Sequence, residues 1–330
     1  MKRRCFNVTC PGASHVREGK VCQDASGRVE SGGFLAVIVA DGHGADDYMR
    51  SDLGSKFAVE ACGECIGEFM GQANFDCLDG GDSKGLLAQL KKSVIARWHE
   101  KVRGHFRENP FTDEETDKLS VMTRRRYLER NMIEPAYGTT LIAAVAADDF
   151  WFGLHIGDGR CVTKGYDLVF SQPIPWDEKC FLNVTTSLCD EDAFERSRHC
   201  FSRDVPAAIF IGSDGIDDCF ANDGQIYALY DNVICNFGLN GFDEAHEMLA
   251  EYLPKLSAKG SRDDMSMAGI FDAENIQFYM RVTEQEERAP PERERTHDAG
   301  TEETVETASE PDGRTVLELG RETCVEFGGC

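Results

Sequence analysis

Basic side chains and long apolar runs are both scarce in this sequence. Its 330 residues carry 35 Lys and Arg against 59 Asp and Glu, which gives a formal net charge of −24. DNA, RNA and anionic membranes are bound through clustered basic side chains that displace counterions. The composition therefore argues against nucleic acid and membrane partners.

No apolar run is long enough to cross a membrane. The longest, residues 34–40 and 141–147, fall well short of the roughly 20 residues that a spanning helix needs. Residues 1–5 include basic side chains, but no apolar segment of a signal peptide follows them. We therefore expect a cytoplasmic protein, in which the 14 scattered cysteines are free thiols.

The sequence changes character near its end. Residues 283–330 hold 14 acidic and 5 basic side chains, include Pro290-Pro291 and show little apolar periodicity. Such a segment cannot bury enough apolar surface to offset its chain entropy. We predict one domain over residues 1–282, with a last strand at 276–282, and an acidic disordered tail over 283–330.

Before the tail, the pattern predicts strands in hairpins and helices in pairs. Residues 139–146 and 150–156 are apolar strands separated by a short polar connection, which is typical of an antiparallel hairpin. Residues 113–130 are predicted as one charged helix capped by Thr112, and residues 172–203 as irregular. This order favours antiparallel α+β layering over a parallel βαβ sheet.

Four short acidic motifs lie beside apolar, strand-like runs. They are Asp41-Gly42-His43-Gly44, Gly157-Asp158-Gly159-Arg160, Ser213-Asp214-Gly215 with the following Asp217 and Asp218, and Arg262-Asp263-Asp264. A carboxylate at a strand end projects from a rigid edge, and an adjacent glycine lets the backbone approach a ligand. Several carboxylates raise one another's pKa unless positive charge lies between them. Mg²⁺ or Mn²⁺ with oxygen ligands supplies that charge, so the pattern predicts a divalent metal site.

Three further segments complete a family pattern. Ser14-His15 and Gln23-Asp24-Ala25 precede the first acidic motif, and Tyr137-Gly138-Thr139-Thr140 lies between the first and the second. In this order the motifs resemble the metal-dependent Ser/Thr protein phosphatases of type 2C, and more closely their bacterial-type branch, over residues 5–282. The resemblance implies an α+β fold, a four-layer αββα sandwich of two antiparallel β-sheets flanked by helix pairs.

The resemblance also implies which residues hold the metal ions. Asp41 bridges two ions, and the backbone carbonyl of Gly42 binds one of them. Asp214 and Asp263 complete the shell of the other ion. Two such ions make a bridging water acidic enough to be hydroxide near neutral pH, and clamp the phosphate for in-line attack.

Four more residues are assigned to the metal site by the same resemblance. Asp158 and Asp218 match positions that hold a further, looser ion. Gln23 and Asp24 stand where the eukaryotic branch has Glu followed by Asp. Because an amide carries no charge, we expect Gln23 to hold a metal-bound water and to bind metal more weakly than Glu does.

Three residues are candidates for contact with the substrate. His43 matches the general acid that protonates the departing Ser or Thr alkoxide, a role worth about 10²–10⁴ in rate; a structural histidine in a Gly-rich turn is the alternative. The arginine that grips phosphate in the eukaryotic branch falls at Gly19. Arg17 and Lys20 are nearby substitutes, and Arg17 is preferred because its guanidinium matches two phosphate oxygens. An ordinary solvated pair of basic residues is equally open.

The leading hypothesis is a Mn²⁺- or Mg²⁺-dependent phosphoprotein phosphatase acting on phosphoserine and phosphothreonine. Its expected partners are phosphorylated proteins and a cognate Ser/Thr kinase. The alternative is a catalytically weak relative that binds a kinase or phosphoprotein as a scaffold, although Asp41, Asp214 and Asp263 are all present. A third hypothesis keeps the metal chemistry but has a small phosphoester as substrate.

The predicted tail gives a first test. Deleting residues 283–330 should leave the melting temperature and the basal turnover little changed, because a solvated acidic segment makes few packed contacts. Thermal unfolding and steady-state rates of the full-length and truncated chains measure this. A large loss of stability would show that an apolar part of the tail, such as Val316–Leu319, docks on the domain.

Overall fold

The structure is a computed structural model that describes residues 3–72, 82–130, 132–175, 177, 180 and 185–275. The predicted last strand, residues 276–282, and the predicted tail, residues 283–330, lie outside the described residues. Within these ranges, no helix combines the length and the apolar character that crossing a membrane requires.

The elements alternate between short groups of strands and pairs of helices. The first half contains β1 (Arg3–Cys10), α1 (Ala13–Glu18), β2 (Asp24–Ser31), β3 (Phe34–Asp41), α2 (Ser51–Gln72), α3 (Asp82–Glu108), α4 (Asp113–Thr116) and α5 (Val121–Leu128). The second half contains β4 (Leu141–Ala146), β5 (Trp151–Ile156), β6 (Arg160–Lys164), β7 (Phe170–Ser171), α6 (Ala193–Arg196), β8 (Arg198–Ser202), β9 (Ala208–Gly212), α7 (Asp214–Asp217), α8 (Asp223–Asn240), α9 (Phe242–Lys259) and β10 (Met265–Asp272). Short 3₁₀ helices cover Asp46–Tyr48 and Glu134–Tyr137.

The strands form two five-stranded sheets in which all neighbours are antiparallel. One sheet has the order β2-β3-β4-β5-β8, and the other has the order β1-β10-β9-β6-β7. The hairpin predicted over residues 139–156 is confirmed, since Leu141 lies opposite Ile156 and Ala146 opposite Trp151.

Strand β3 shows how the four layers are stacked. Ala36 and Ile38 belong to the apolar cluster between this sheet and the helices α2 and α3. Val37 and Val39 belong to the apolar cluster between the two sheets. Because both faces are buried, the strand is one uninterrupted apolar run in the sequence. Helices α8 and α9 cover the outer face of the other sheet, so the predicted four-layer αββα sandwich is confirmed.

Two strands of the first sheet have no clear signal in the sequence. β2 and β8 are its edge strands, and every residue of β8 is only half-buried. An edge strand with little burial lacks the apolar alternation by which a strand is recognised. The prediction of an irregular segment over residues 172–203 was therefore wrong for Arg198–Ser202.

The segment predicted as one helix over residues 113–130 is two short helices, α4 and α5. Thr112 is confirmed as the N-cap of α4 and forms a capping box with Glu115. The second helix starts at a new cap, because the side chain of Ser120 accepts a hydrogen bond of 3.1 Å from the backbone of Thr123. The cysteines of the described residues are all free, as predicted.

Gly54 of α2 permits the closest helix contact in this part of the fold. A Cβ atom at Gly54 would lie 1.8 Å from the backbone oxygen of Tyr137. The indole nitrogen of Trp98 in α3 donates a 3.0 Å hydrogen bond to the Gly54 carbonyl. The absence of a side chain therefore lets α2 and α3 pack against the turn that leads to Gly138.

Two alanine substitutions in α2 should have opposite effects on stability. Gly54→Ala should lower the free energy of unfolding by about 1–3 kcal/mol, because the new methyl group overlaps backbone. Gly67→Ala meets nothing within 4 Å and should raise it by roughly 0.5–1 kcal/mol. Denaturant unfolding of both variants measures this, and equal effects would contradict the tight contact at Gly54.

Candidate active site

The acidic motifs lie at strand ends of both sheets. In the first sheet, Asp24 at the start of β2 lies opposite Asp41 at the end of β3. In the second sheet, Asp214 follows the end of β9 and Asp263 precedes the start of β10, its antiparallel neighbour. Asp158 lies in the turn that connects β5 with β6. Residues that are far apart in sequence therefore share one end of the sandwich.

Their carboxylates are close enough to influence one another. Burial, followed by the negative charges of Asp214 and Asp24, raises the pKa of Asp41 well above its usual value. Burial likewise raises the pKa of Asp214 to about 7, and the charges of Asp158 and Asp263 contribute. These carboxylates form an acidic cluster, and no basic side chain of the described ranges is among the main influences on the pKa of Asp24, Asp41 or Asp214.

Asp24 joins the two sheets at this cluster. Its side chain is 4% exposed, and one carboxylate oxygen accepts a 2.7 Å hydrogen bond from the hydroxyl of Ser213. The Ser213 hydroxyl in turn accepts a 3.0 Å hydrogen bond from the backbone of Ser266. Burial raises the pKa of Asp24 to about 8, although the Ser213 hydrogen bond lowers it.

The segment Gly138-Thr139-Thr140 holds the backbone of Asp41. The Asp41 carbonyl accepts 2.8 Å hydrogen bonds from the Thr139 hydroxyl and from the Thr140 backbone. The Thr140 hydroxyl accepts a 3.1 Å bond from the Asp41 backbone nitrogen. The adjacent Gly42 donates its backbone N–H to the carbonyl of Gln23, at 3.1 Å. The threonines therefore fix the position from which the Asp41 side chain projects.

A cavity of about 430 Å³ opens beside Asp214. Asp158, Asp217 and Asp218 also line it, and burial raises the pKa of all three. Arg160 is bound to Asp217, whereas one oxygen of Asp158 is buried without a hydrogen-bond partner among the described residues. The cavity therefore extends the acidic cluster. Asp158 and Asp218, the two residues predicted to hold a further ion, both line it.

Asp264 is a buried residue of the site that is not among the predicted site residues. Its carboxylate accepts 2.6 Å hydrogen bonds from the backbone nitrogens of Gly12 and Gln23. The ring nitrogen Nδ1 of His15 lies 2.9 Å from the same carboxylate. Asp264 thus holds the N-terminal loop against the start of β10, next to Asp263. The Asp263-Asp264 doublet in the sequence is the signal that could have indicated a second role.

Gln23 uses its amide nitrogen to hold the loop that contains His43. That nitrogen donates a 3.2 Å hydrogen bond to the His43 carbonyl and a 2.6 Å bond to the Ser51 hydroxyl. The amide oxygen accepts no hydrogen bond from the described residues. The structure therefore shows Gln23 holding this loop, and its metal-bound water stays a prediction.

His43 is half-buried beside the ring of Tyr48. Its ring packs edge-on against Tyr48, with ring centroids 4.7 Å apart and an interplanar angle of 67°. Its backbone nitrogen donates a 3.1 Å hydrogen bond to the Gly138 carbonyl. Burial lowers the pKa of His43 to about 4, so the imidazole is neutral at pH 7 and carries one N–H donor.

The two predicted phosphate-binding residues lie on the surface. The side chains of Arg17 and Lys20 are 66% and 57% exposed. Both bind the carboxylate of Glu18, at 3.2 and 3.0 Å. Between them Gly19 ends α1 with φ 67°, a conformation that favours glycine over the family's arginine. Within the described ranges, neither side chain contacts a carboxylate of the acidic cluster.

The oxygen atoms of the cluster are ligands of the kind that hard divalent cations bind. Mg²⁺ and Mn²⁺ prefer oxygen ligands, and the raised pKa values of Asp41 and Asp214 indicate that positive charge would be stabilising there. The Asp158 oxygen that has no hydrogen-bond partner among the described residues is a further atom that could bind a cation. Across the described ranges, however, no three Asp, Glu, His or Cys side chains already form a group that could hold an ion.

The fold is similar to those of solved bacterial phosphatases. The S. agalactiae serine/threonine phosphatase is 14% identical, the match covers 82% of this chain and 99% of that chain, and the TM-score is 0.51. A bacterial serine phosphatase is 15% identical over 82% of this chain and 97% of that chain, with a TM-score of 0.50. At these identities the likeness concerns the fold alone.

The family comparison extends over most of the domain. Among curated proteins, none matches the chain. The family model described as Protein phosphatase 2C matches residues 11–254, a range that includes Asp24, Asp41, Asp158 and Asp214. The chain therefore belongs to the protein phosphatase 2C family.

Proposed function

We propose that this protein hydrolyses phosphoserine and phosphothreonine in other proteins and that it depends on Mn²⁺ or Mg²⁺. The observation that carries the proposal is the acidic cluster, in which buried and half-buried carboxylates from both sheets raise one another's pKa. A fold tolerates such a cluster when a cation compensates its charge. Family membership supports phosphorylated proteins as the class of substrate.

The residues that would hold the cations are those at the ends of the strands. Asp41, Asp214, Asp263 and the backbone carbonyl of Gly42 are the proposed direct ligands, and Asp24 and Gln23 lie beside them. Asp158 and Asp218, which line the adjoining cavity, would hold a further ion. When bound, divalent ions lower the pKa of a water molecule and neutralise charge on phosphoryl oxygens.

Residues of the chain hold the proposed metal ligands in position and provide a proton donor. The hydrogen bonds from Thr139 and Thr140 keep Asp41 in place, and the bond from Ser213 does the same for Asp24. His43, neutral at pH 7, has one N–H that can donate a hydrogen bond to the leaving oxygen. A dianionic phosphate nearby favours the protonated imidazole, which is the form that transfers a proton to the leaving group.

Two other hypotheses are outcomes of the same experiment. A phosphatase-like scaffold would bind phosphoproteins without turnover, and an enzyme for small phosphoesters would hydrolyse p-nitrophenyl phosphate but not a phosphopeptide. The cognate Ser/Thr kinase expected as a partner stays a prediction.

Asp214→Asn should keep the fold and remove most activity. The amide lacks the charge that balances the cations, so we expect the rate to fall at least about a hundredfold. Hydrolysis of a phosphothreonine peptide and of p-nitrophenyl phosphate is measured with Mn²⁺ and with EDTA. Asp149→Asn, which changes a carboxylate that is 71% exposed, is the control and should match the wild type.

An active Asp214→Asn variant would contradict the site. A wild-type protein that binds Mn²⁺ yet hydrolyses neither compound would support the scaffold hypothesis. Activity that persists in EDTA would contradict the metal dependence.

Gln23→Glu separates the two roles of this side chain. Without metal, the variant should melt at a lower temperature, because a carboxylate oxygen cannot donate to the His43 carbonyl and is repelled by it. Saturating Mn²⁺ should then raise its melting temperature more than that of the wild type, because the added charge strengthens cation binding.

Gln225→Glu is a matched control for this substitution. The Gln225 side chain uses its oxygen, which accepts a 2.9 Å hydrogen bond from the Ala221 backbone, and a carboxylate can do the same. Its melting temperature should change little, with and without Mn²⁺. If Gln23→Glu shows no larger gain with Mn²⁺ than the wild type, Gln23 has only the structural role.

A further inference from the structure

Arg262 has a backbone conformation that its residue type disfavours. Within the described part of the chain, Leu168 and Arg262 are the non-glycine residues with positive φ, at 68° and 66°. In this region the Cβ atom comes too close to the following carbonyl oxygen. Arg262 immediately precedes Asp263, one of the proposed metal ligands. Strained residues of this kind are concentrated at functional sites.

The strain at Leu168 is offset by packing, whereas the strain at Arg262 is not. Leu168 ends the turn between β6 and β7, and its side chain packs against the apolar cluster under α8 and α9. The Arg262 side chain is exposed and makes no hydrogen bond, ion pair or ring contact with the described residues. Side-chain packing therefore gives no reason for an arginine at position 262.

The backbone at Arg262 is held by groups that do not depend on its side chain. Its nitrogen donates a 2.9 Å hydrogen bond to the Ser257 carbonyl. Its carbonyl accepts bonds of 3.0 and 2.6 Å from the backbone and hydroxyl of Ser14. The neighbouring Ser261 hydroxyl donates a 2.7 Å bond to the Gly215 carbonyl, next to Asp214. Glycine could make the same backbone contacts with less strain.

The Arg262 guanidinium belongs to the residue that immediately precedes Asp263 in the chain. The charge of Asp263 raises the pKa of Asp214 and of Asp218, in each case after burial, so this edge of the site is acidic. Arg17 and Lys20 share the carboxylate of one glutamate on α1. Arg262 has no such partner in the ranges described, so its exposed guanidinium is free to bind an anion.

We propose that Arg262 binds the phosphoryl group of the substrate. Its planar guanidinium can donate to two phosphoryl oxygens at once, which a lysine cannot do with the same geometry. Arg262 then takes the role of the arginine that is absent at Gly19. This inference rests on the proposed phosphatase function, and it makes Arg262 a substrate-binding residue.

Two variants of Arg262 test the inference. Arg262→Gly should raise the melting temperature, because strain is relieved. It should also raise the KM for p-nitrophenyl phosphate and for a phosphothreonine peptide without acidic residues by about tenfold or more, the size expected for a hydrogen bond to a charged group. The inhibition constant of inorganic phosphate should rise by the same factor. Arg262→Lys keeps the charge and the strain, so it should restore part of the affinity without the gain in stability.

Leu168→Gly is the matched control with the opposite sign. It relieves the same backbone strain but removes packed apolar atoms, so it should lower the melting temperature and leave both KM values unchanged. The contrast between the two glycine variants separates strain relief from loss of substrate binding.

Two results would overturn the inference. One is an Arg262→Gly variant whose KM and inhibition constants change by less than about twofold. The other is a KM increase confined to peptides with acidic residues, since the guanidinium then binds a flanking carboxylate and not the phosphoryl group. If the wild type hydrolyses neither compound, the proposed function fails. Calorimetric titration with inorganic phosphate and Mn²⁺ then still decides whether Arg262 binds phosphate.

Discussion

Repulsion among buried carboxylates is the constraint on which this structure depends. Asp24, Asp41 and Asp214 each lose hydration on burial, and each is close enough to another to raise its pKa. Such an arrangement costs folding free energy unless a cation compensates it. The rest of the sandwich must therefore supply enough packing to hold the cluster together. Three apolar clusters, one between the sheets and one under each helix pair, provide it.

The carboxylates are positioned mainly through backbone and hydroxyl contacts. Thr139 and Thr140 bind the Asp41 backbone, while Ser213 links Asp24 to the second sheet. Asp264 contributes no proposed ligand but fixes the N-terminal loop through two backbone nitrogens. These contacts hold the acidic residues through hydroxyl and backbone groups that carry no charge. They fix the positions of the carboxylates but leave the repulsion among them in place.

Two positions near the site depart from the pattern of the eukaryotic branch. The core carboxylates are all present, yet glycine occupies position 19 and an amide occupies position 23. Gly19 has become the left-handed end of α1, and Gln23 holds the loop of His43 through its amide nitrogen. The proposed role of Arg262 is consistent with this pattern, because a phosphate-binding group can be supplied from another loop once the metal ligands are fixed.

The fold of the core could be predicted from the sequence more fully than the contacts of the site. Buried strands such as β3 could be predicted, because continuous burial requires a continuous apolar run. The Thr112 cap and the acidic residues at strand ends could also be predicted, because each lies in a short, recognisable motif. The edge strands β2 and β8 could not, because their sequences do not alternate apolar and polar residues. By itself the sequence determined the layered α+β class and the set of acidic residues at strand ends. Only the tertiary structure decided that Asp264 is a structural anchor, that Gln23 donates to His43, and that Arg262 is strained and unpaired. Those properties depend on which residues from distant segments come into contact, and no local pattern records such contacts.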